Sequence, residues 1–141
     1  MSQSDREKWD KRYREGAYAA RKHPSALLVE WLPKLAIDAS EPCAIDLACG
    51  IGRNTLYLAQ QGWRVSAVDI SGVALDKLAA TATDDLDVHC TEMDLETRIG
   101  ATETVLRAMS LTSGFARTVL LAGADKISVK CSRKASGLTF V

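Results

Sequence analysis

Cys43-Ala44-Ile45-Asp46-Leu47-Ala48-Cys49-Gly50-Ile51-Gly52 is the stretch on which the reading of this chain turns. Cys43 to Ala48 is a short apolar run interrupted by one carboxylate, the pattern of a buried strand that carries a polar group for a purpose. Gly50 and Gly52 follow, so the backbone can turn tightly beyond the strand and approach a ligand with no Cβ in the way. Asn54 to Gln61 then has helical spacing, and Gly62 stands where a helix is closed by a residue beyond its C-cap.

Working outward, Arg64 to Ile70 alternates as a second strand, and Ser71 is placed to cap a helix running through Leu75 and Leu78 to about Ala82. Leu86 to Cys90 reads as a third short strand. The order β-α-β-α-β within so few residues predicts a parallel sheet with right-handed crossovers. A ligand is expected at the carboxyl ends of its strands. Upstream, Ser4 to Lys22 is polar, with Trp9 and Tyr13 four apart on one face of a predicted helix. Pro24 suits the first turn of the next helix, whose apolar stripe is Leu27, Leu28 and Trp31, and Pro33 stops it.

The chain has 141 residues, 18 basic and 18 acidic, with zero formal net charge. That balance argues against a nucleic-acid or anionic-lipid partner. The first twenty residues are studded with charge and lack an apolar signal core, and no run is long enough to span a bilayer, so a cytoplasmic protein is expected. Cys43, Cys49, Cys90 and Cys131 form no CxxC pair and no zinc-like spacing; they are expected to be small buried hydrophobes, with no metal site. Composition breaks near residue 97. Residues 1–97 hold 11 basic and 16 acidic side chains, net −5, whereas 98–141 hold 7 and 2, net +5. All Trp and Tyr lie at or before Trp63. In the tail only an apolar run at Thr118 to Ala122, weak alternation at Lys126 to Lys130 and some helical character at Thr102 to Met109 stand out.

Asp69 ends the second strand, 17 residues after Gly52, where a carboxylate can accept hydrogen bonds from both hydroxyls of a ribose. A nicotinamide dinucleotide and S-adenosyl-L-methionine both fit such a site. Two details favour the methyl donor. The third Gly of Gly-x-Gly-x-x-Gly would fall on Thr55, which compromises the close helix approach wanted around a pyrophosphate. Asp46 inside the first strand needs a cationic partner, and the ammonium of the cofactor's methionine moiety is one.

Ala44 to Asn54, Leu56-Tyr57-Leu58-Ala59, Gly62 and Val65 to Ser71, in that order, resemble class I methyltransferases. Trp9-Asp10-x-Arg12-Tyr13 with Pro24-Ser25 and Leu28 resembles the N-terminal, cofactor-covering segment of the small tellurite-resistance and thiopurine-type enzymes. The resemblance spans about residues 8–96. It implies an α/β, Rossmann-like methyltransferase fold with a parallel sheet, apparently truncated after the third strand. It implies a lid over 1–40, a cofactor-binding half over 41–97 and a divergent tail over 98–141. Residue by residue, it places Asp46, Ala48, Gly50 and Gly52 at the cofactor loop, Ala48 standing where the family more usually has Gly. It makes Asp69 the ribose-binding acid and Ile70 the apolar neighbour of adenine. Asp94-Leu95 becomes the segment receiving the adenine amino group, and Arg12 and Tyr13, with Trp9, lie near the methionine end.

No catalytic residue is assigned. His23 precedes Pro24 beside the lid, and His89 reads as strand packing. The fourth strand that lines the acceptor pocket in such enzymes is not recognised in 98–141, and a frameshift or alternative exon would account for the break, the lost motif and the early end together. The expectation is methyl transfer to a small molecule with a soft sulfur, selenium or tellurium nucleophile, impaired in this chain if the pocket strand is lost. The alternatives are a non-catalytic cofactor-binding fragment and an NAD-dependent oxidoreductase.

Overall fold

The computed structural model describes residues 3–34 and 42–94, and beyond them the backbone of residues 118–122, 127–130 and 139–140. Three parallel strands lie at its centre: β1 (Cys43–Leu47), β2 (Arg64–Asp69) and β3 (Val88–Glu92). Helix α3 (Arg53–Gln60) connects β1 to β2, and α4 (Gly72–Thr81) connects β2 to β3. β1 is buried along nearly its whole length, which is why its sequence is a continuous apolar run and not an alternating one. β3 is the opposite case. Only Val88 is half-buried and the next four residues are exposed, so this polar strand forms an edge.

Sheet order among the described strands is β3-β2-β1-β4-β5-β6, with β4 (Thr118–Ala122), β5 (Ile127–Lys130) and β6 (Thr139–Phe140). This corrects the expectation that the parallel set ends at the third strand. β4 pairs with β1 in parallel, Asp46 opposite Leu121, and β5 then returns antiparallel. The run Thr118 to Ala122 has the apolar, β-branched character of an inner strand, but five residues do not reveal their partner in a sequence. Leu95 and the candidate helix at Thr102 to Met109 lie outside the described residues.

Upstream, α1 spans Gln3–Arg14 and not the whole of Ser4 to Lys22. Gly16, at φ +83°, takes the chain out of the helix and Tyr18 follows at φ +63°. α2 spans Ala26–Trp31, and Ser25 caps it by accepting from the Leu28 N–H at 3.2 Å. Pro24 therefore precedes the cap and does not occupy the first turn. β3 begins two residues later than its sequence pattern predicts. No helix among the described residues is long and apolar enough to cross a membrane, and none of their His, Cys, Asp and Glu form a group able to hold a metal ion. Of the cysteines, Cys43 is buried and Cys49 half-buried, but Cys90 is exposed, because it falls on the edge strand.

The core beneath the sheet's helical face gathers Leu28, Ala44, Leu58, Ala59, Trp63 and Val65. Leu58 is wholly inaccessible, whereas Val29 on α2 is 42% exposed. Leu58→Ala should cost about 2–5 kcal/mol in urea unfolding, and Val29→Ala less than about 0.5 kcal/mol. Equal costs would contradict this placement of the core.

Candidate functional site: the carboxyl ends of β1 and β2

Asp46 lies on β1 opposite Ala67 of β2, and Asp69 is the last residue of β2. Both carboxylates therefore stand toward the same end of the sheet, and both are buried, at 2% and 6% exposure. Asp46 accepts the Thr55 hydroxyl at 2.7 Å and is also hydrogen-bonded by the Thr55 backbone N–H. Asp69 accepts the Gly50 N–H at 2.8 Å on one oxygen and the Ser71 N–H at 2.9 Å on the other. The strand ends thus hold the glycine turn: Asp69 fixes Gly50, and the Val68 carbonyl accepts the Cys49 N–H at 3.1 Å. Thr55, the residue in place of a third glycine, turns out to be the partner of Asp46. A Thr at that position, one helical turn past the loop, was the available signal.

The turn runs through left-handed backbone at Ala48 (φ +56°), Gly50 (φ +57°) and Gly52 (φ +82°). Ala48 carries a Cβ where glycine would be unstrained, a cost of about 1 kcal/mol or more. At Gly52 a Cβ would come within 2.3 Å of the Leu78 side chain, so glycine lets α3 and α4 close together.

Above the turn sits α1. The Tyr13 hydroxyl lies 2.7 Å from the place a Gly50 Cβ would take, and Tyr13 itself is 7% exposed. Trp9 and Tyr18 pack against it with ring centroids 6.2 and 6.0 Å from the Tyr13 ring. Polar contacts to α4 and β3 hold the segment down. Ser71 donates its hydroxyl to Asp10 at 2.6 Å, Lys77 donates to the Tyr13 carbonyl, and Arg6 pairs with Glu92. Asp10 also faces the first turn of α4, where a carboxylate is favoured. Trp9, Tyr13, Tyr18, Arg21, Ala48, Gly50 and Arg53 are among the residues enclosing a cavity of about 180 Å³. That is smaller than the roughly 300–1,000 Å³ typical of ligand pockets, because the Tyr13 ring fills part of it.

Of the sequence-predicted residues, Trp9, Tyr13, Ala48 and Gly50 meet at this cavity, with Asp46, Gly52 and Asp69 forming the strand ends and turn beside it. Arg12 is exposed and stacks on Trp9, its guanidinium 5.2 Å from the ring centre. Ile70 is buried next to Asp69 at 7% exposure, and Asp94 is half-buried just past β3. Neither lines the cavity. His89 is not packed in the strand as expected; it is exposed and lies 2.8 Å from Asp87. Asp10, Tyr18 and Thr55 were missed. Asp10 lies within the Trp9-Asp10-x-Arg12-Tyr13 motif, which was its available signal, and Tyr18 follows a chain reversal that no periodicity reports.

Burial pushes the Asp46 carboxyl up to about 6, against the pull of its two Thr55 hydrogen bonds, and the nearby Asp69 charge adds to the rise. Asp69 is raised as well, by burial first, with the Ser71, Gly50 and Ile70 backbone N–H groups opposing it and Asp10 reinforcing it. The Tyr13 hydroxyl and Cys49 thiol are driven upward, chiefly by burial, so neither is a ready base.

A parallel α/β sheet with a left-handed Gly-x-Gly turn, an acid inside the first strand and another ending the second defines a nucleoside-cofactor-binding domain. A family model described as a methyltransferase domain matches residues 44–118, more than half of the chain. The chain belongs to that family, and the match continues past the composition break at 97. No curated protein matches it. Among solved structures, a SAM-dependent methyltransferase from Anabaena variabilis is similar at 22% identity and a TM-score of 0.57, over 87% of this chain and 50% of that one. This likeness shows the Rossmann-like methyltransferase fold. A TehB-like SAM-dependent methyltransferase from Corynebacterium glutamicum is 23% identical at a TM-score of 0.42, over 68% of this chain and 48% of that one. The magnesium protoporphyrin IX methyltransferase of Synechocystis, solved with bound SAH, is 21% identical at 0.44, over 67% and 52%. The chain spans 29–53% of the length of the solved structures it resembles.

Because the folded-state value of Asp46 lies above the 3.8 of an ordinary aspartate, its contribution favours the fold below that value and is lost as pH rises through about 6. Asp46→Asn removes this dependence. Between pH 4 and 7.5 the urea-unfolding stability of the variant should gain on the native protein by on the order of 3 kcal/mol. A difference that stays flat across that range contradicts the burial of a titrating Asp46.

Proposed function

We propose that the domain binds S-adenosyl-L-methionine at the carboxyl ends of β1 and β2 and serves methyl transfer to a small-molecule acceptor. The observation that carries this reading is the pair of buried carboxylates at adjacent strand ends, neither of which has a cationic hydrogen-bond partner among the described residues. Asp46 is suited to the cofactor's ammonium. Asp69 is held by the backbone N–H groups of Gly50, Ser71 and Ile70, and acceptor capacity beyond those bonds suits a ribose hydroxyl. The donor set and the open-backbone turn fit the cofactor, with Ala48, Gly50 and Gly52 along its methionine side, Ile70 and Asp94-Leu95 toward adenine, and Trp9, Arg12 and Tyr13 as its cover. Tyr13 must withdraw from Gly50 to make room, since the cavity there is only about 180 Å³.

The cofactor supplies an activated methyl on a sulfonium; the protein's part is to position it and to exclude water. A soft sulfur, selenium or tellurium acceptor suits this site, because such a nucleophile needs no general base. The described cleft offers none besides the carboxylates that hold the cofactor. His23 is exposed with its carbonyl accepting from Arg53, and His89 is on the far edge strand. Trp9-Asp10-x-Arg12-Tyr13, found over the glycine turn, supports the tellurite-resistance and thiopurine type. Thr55 speaks against a dinucleotide, since its side chain is wholly buried on Asp46.

Calorimetric titration of the full chain should give saturable binding of S-adenosylhomocysteine and none of NADH at the same concentrations. Asp69→Ala should weaken that binding by about ten-fold or more, the loss of charge-assisted hydrogen bonds. Methylation of thiol and selenol probes should follow. Preferential binding of NADH would overturn the reading, and S-adenosylhomocysteine binding without turnover would make the domain a non-catalytic cofactor binder.

A further inference from the structure

A second cavity, of about 620 Å³, opens along the outer surface of α3 and α4 and is roofed by the segment from Ala17 to Pro24. Its size falls within the roughly 300–1,000 Å³ range of small-molecule sites. Four cationic side chains line it, Arg21, Lys22, Arg53 and Lys77, and no acidic residue does. What holds the cations is neutral. Lys77 donates to the Tyr13 carbonyl, Arg53 to the His23 carbonyl at 3.4 Å, and Arg21 lies 4.9 Å over the Tyr18 ring. Among the described residues none of the four forms an ion pair with a carboxylate. Arg21, Arg53 and Lys77 are oriented by these neutral partners and Lys22 stands exposed beside them. Arg53 also acts at a distance on Asp46, and the group's positive potential faces whatever enters. The remaining wall is largely apolar, with Pro24, Ile51, Leu56 and Tyr57 below the charges.

This arrangement is not accounted for by packing. Residues 1–97 hold more carboxylates than cations, yet no carboxylate lines this cavity. Nor is it the cofactor site: the cavity reaches from Arg21, Ile51 and Arg53, which it shares with the glycine-turn cavity, down the outside of the helices to Gln60 and Thr81. We infer that the α3–α4 groove is a second ligand site, which takes a small amphiphilic anion: a carboxylate or phosphate head held by Arg21, Lys22, Arg53 and Lys77, with an apolar body on Leu56 and Tyr57. Arg53 and Ile51 form the wall between this ligand and the cofactor turn, so the anion sits directly behind the loop that the cofactor occupies. The site stands on its own cavity and charges, and does not depend on the identity of the cofactor.

The test is a titration of the full chain followed by backbone amide NMR, with hexyl phosphate, hexyltrimethylammonium and inorganic phosphate as probes. Hexyl phosphate should bind saturably and shift amides in Ala17 to Lys22, Leu56 to Gln60 and Lys77 to Thr81. Hexyltrimethylammonium and inorganic phosphate should each bind about ten-fold more weakly or worse, one lacking the right charge and the other the apolar body. Lys22→Glu, an exposed substitution away from the glycine turn, should weaken hexyl phosphate by about ten-fold while leaving S-adenosylhomocysteine binding unchanged. Equal binding of the cationic and anionic probes overturns the proposal, as does equal binding of phosphate with and without its alkyl chain. An unaltered Lys22→Glu titration overturns it too. Failure of S-adenosylhomocysteine to bind would count against the proposed function alone and leave the hexyl phosphate result standing.

Discussion

Two like charges buried at neighbouring strand ends set the terms for the rest of this domain. Asp46 and Asp69 are each nearly inaccessible, and the charge of Asp69 adds to the burial that raises the proton affinity of Asp46. Carboxylates in such positions are costly unless hydrogen-bonded, and the chain supplies donors from its own turn: Thr55 for Asp46, Gly50 and Ser71 for Asp69. Those bonds explain the local sequence. Thr55 replaces a glycine because its hydroxyl is needed; Gly50 must have an N–H that points back to β2; Ser71 caps α4 with its side chain while its own N–H serves Asp69. The strain at Ala48 is tolerated in the same turn. Neutral donors bind the oxygens without cancelling their charge.

The N-terminal segment closes over this site by a different set of forces. Its attachments are polar, part-buried where Asp10 meets Ser71 and Lys77 meets a carbonyl, and exposed where Arg6 meets Glu92. Contacts of that kind contribute modestly one by one, so α1 is held less firmly than the Leu58 core. The aromatic group of Trp9, Tyr13 and Tyr18 supplies most of what covers the turn. A ligand at Gly50 competes with Tyr13 for the same space, and its apparent affinity is lowered by the free energy of moving that ring. The same segment roofs the cationic groove behind α3, so one stretch of chain borders both cavities.

Much of this was legible in the sequence, and for a physical reason. A buried parallel strand, a glycine turn and a capped helix each impose residue types within a few positions, so β1, α3, β2 and α4 could be read with small errors at their ends. Asp69 at a strand end and Ser71 as a cap followed from the same local rules. Long-range pairing has no such signature. Thr118 to Ala122 is visible as an apolar run, but nothing nearby says that it will lie beside β1. The burial of Asp46 on Thr55, nine residues on, needed the loop geometry, and Tyr18 came to the site through a left-handed reversal after Gly16. His89 and Cys90 are exposed, against expectation, because so short a strand does not show in its own residues whether it lies inside the sheet or at its edge; only its neighbours decide that.

The decisive observation concerns the charge on Asp46. Its carboxyl, held at about 6 by burial in the free protein, can be followed by carboxyl-carbon NMR with and without saturating S-adenosylhomocysteine. An ammonium group delivered to Asp46 lowers its proton affinity, and a fall of about one unit or more is expected on binding. A carboxyl that titrates at the same pH in both states, while the ligand is bound, would contradict the assignment of this site.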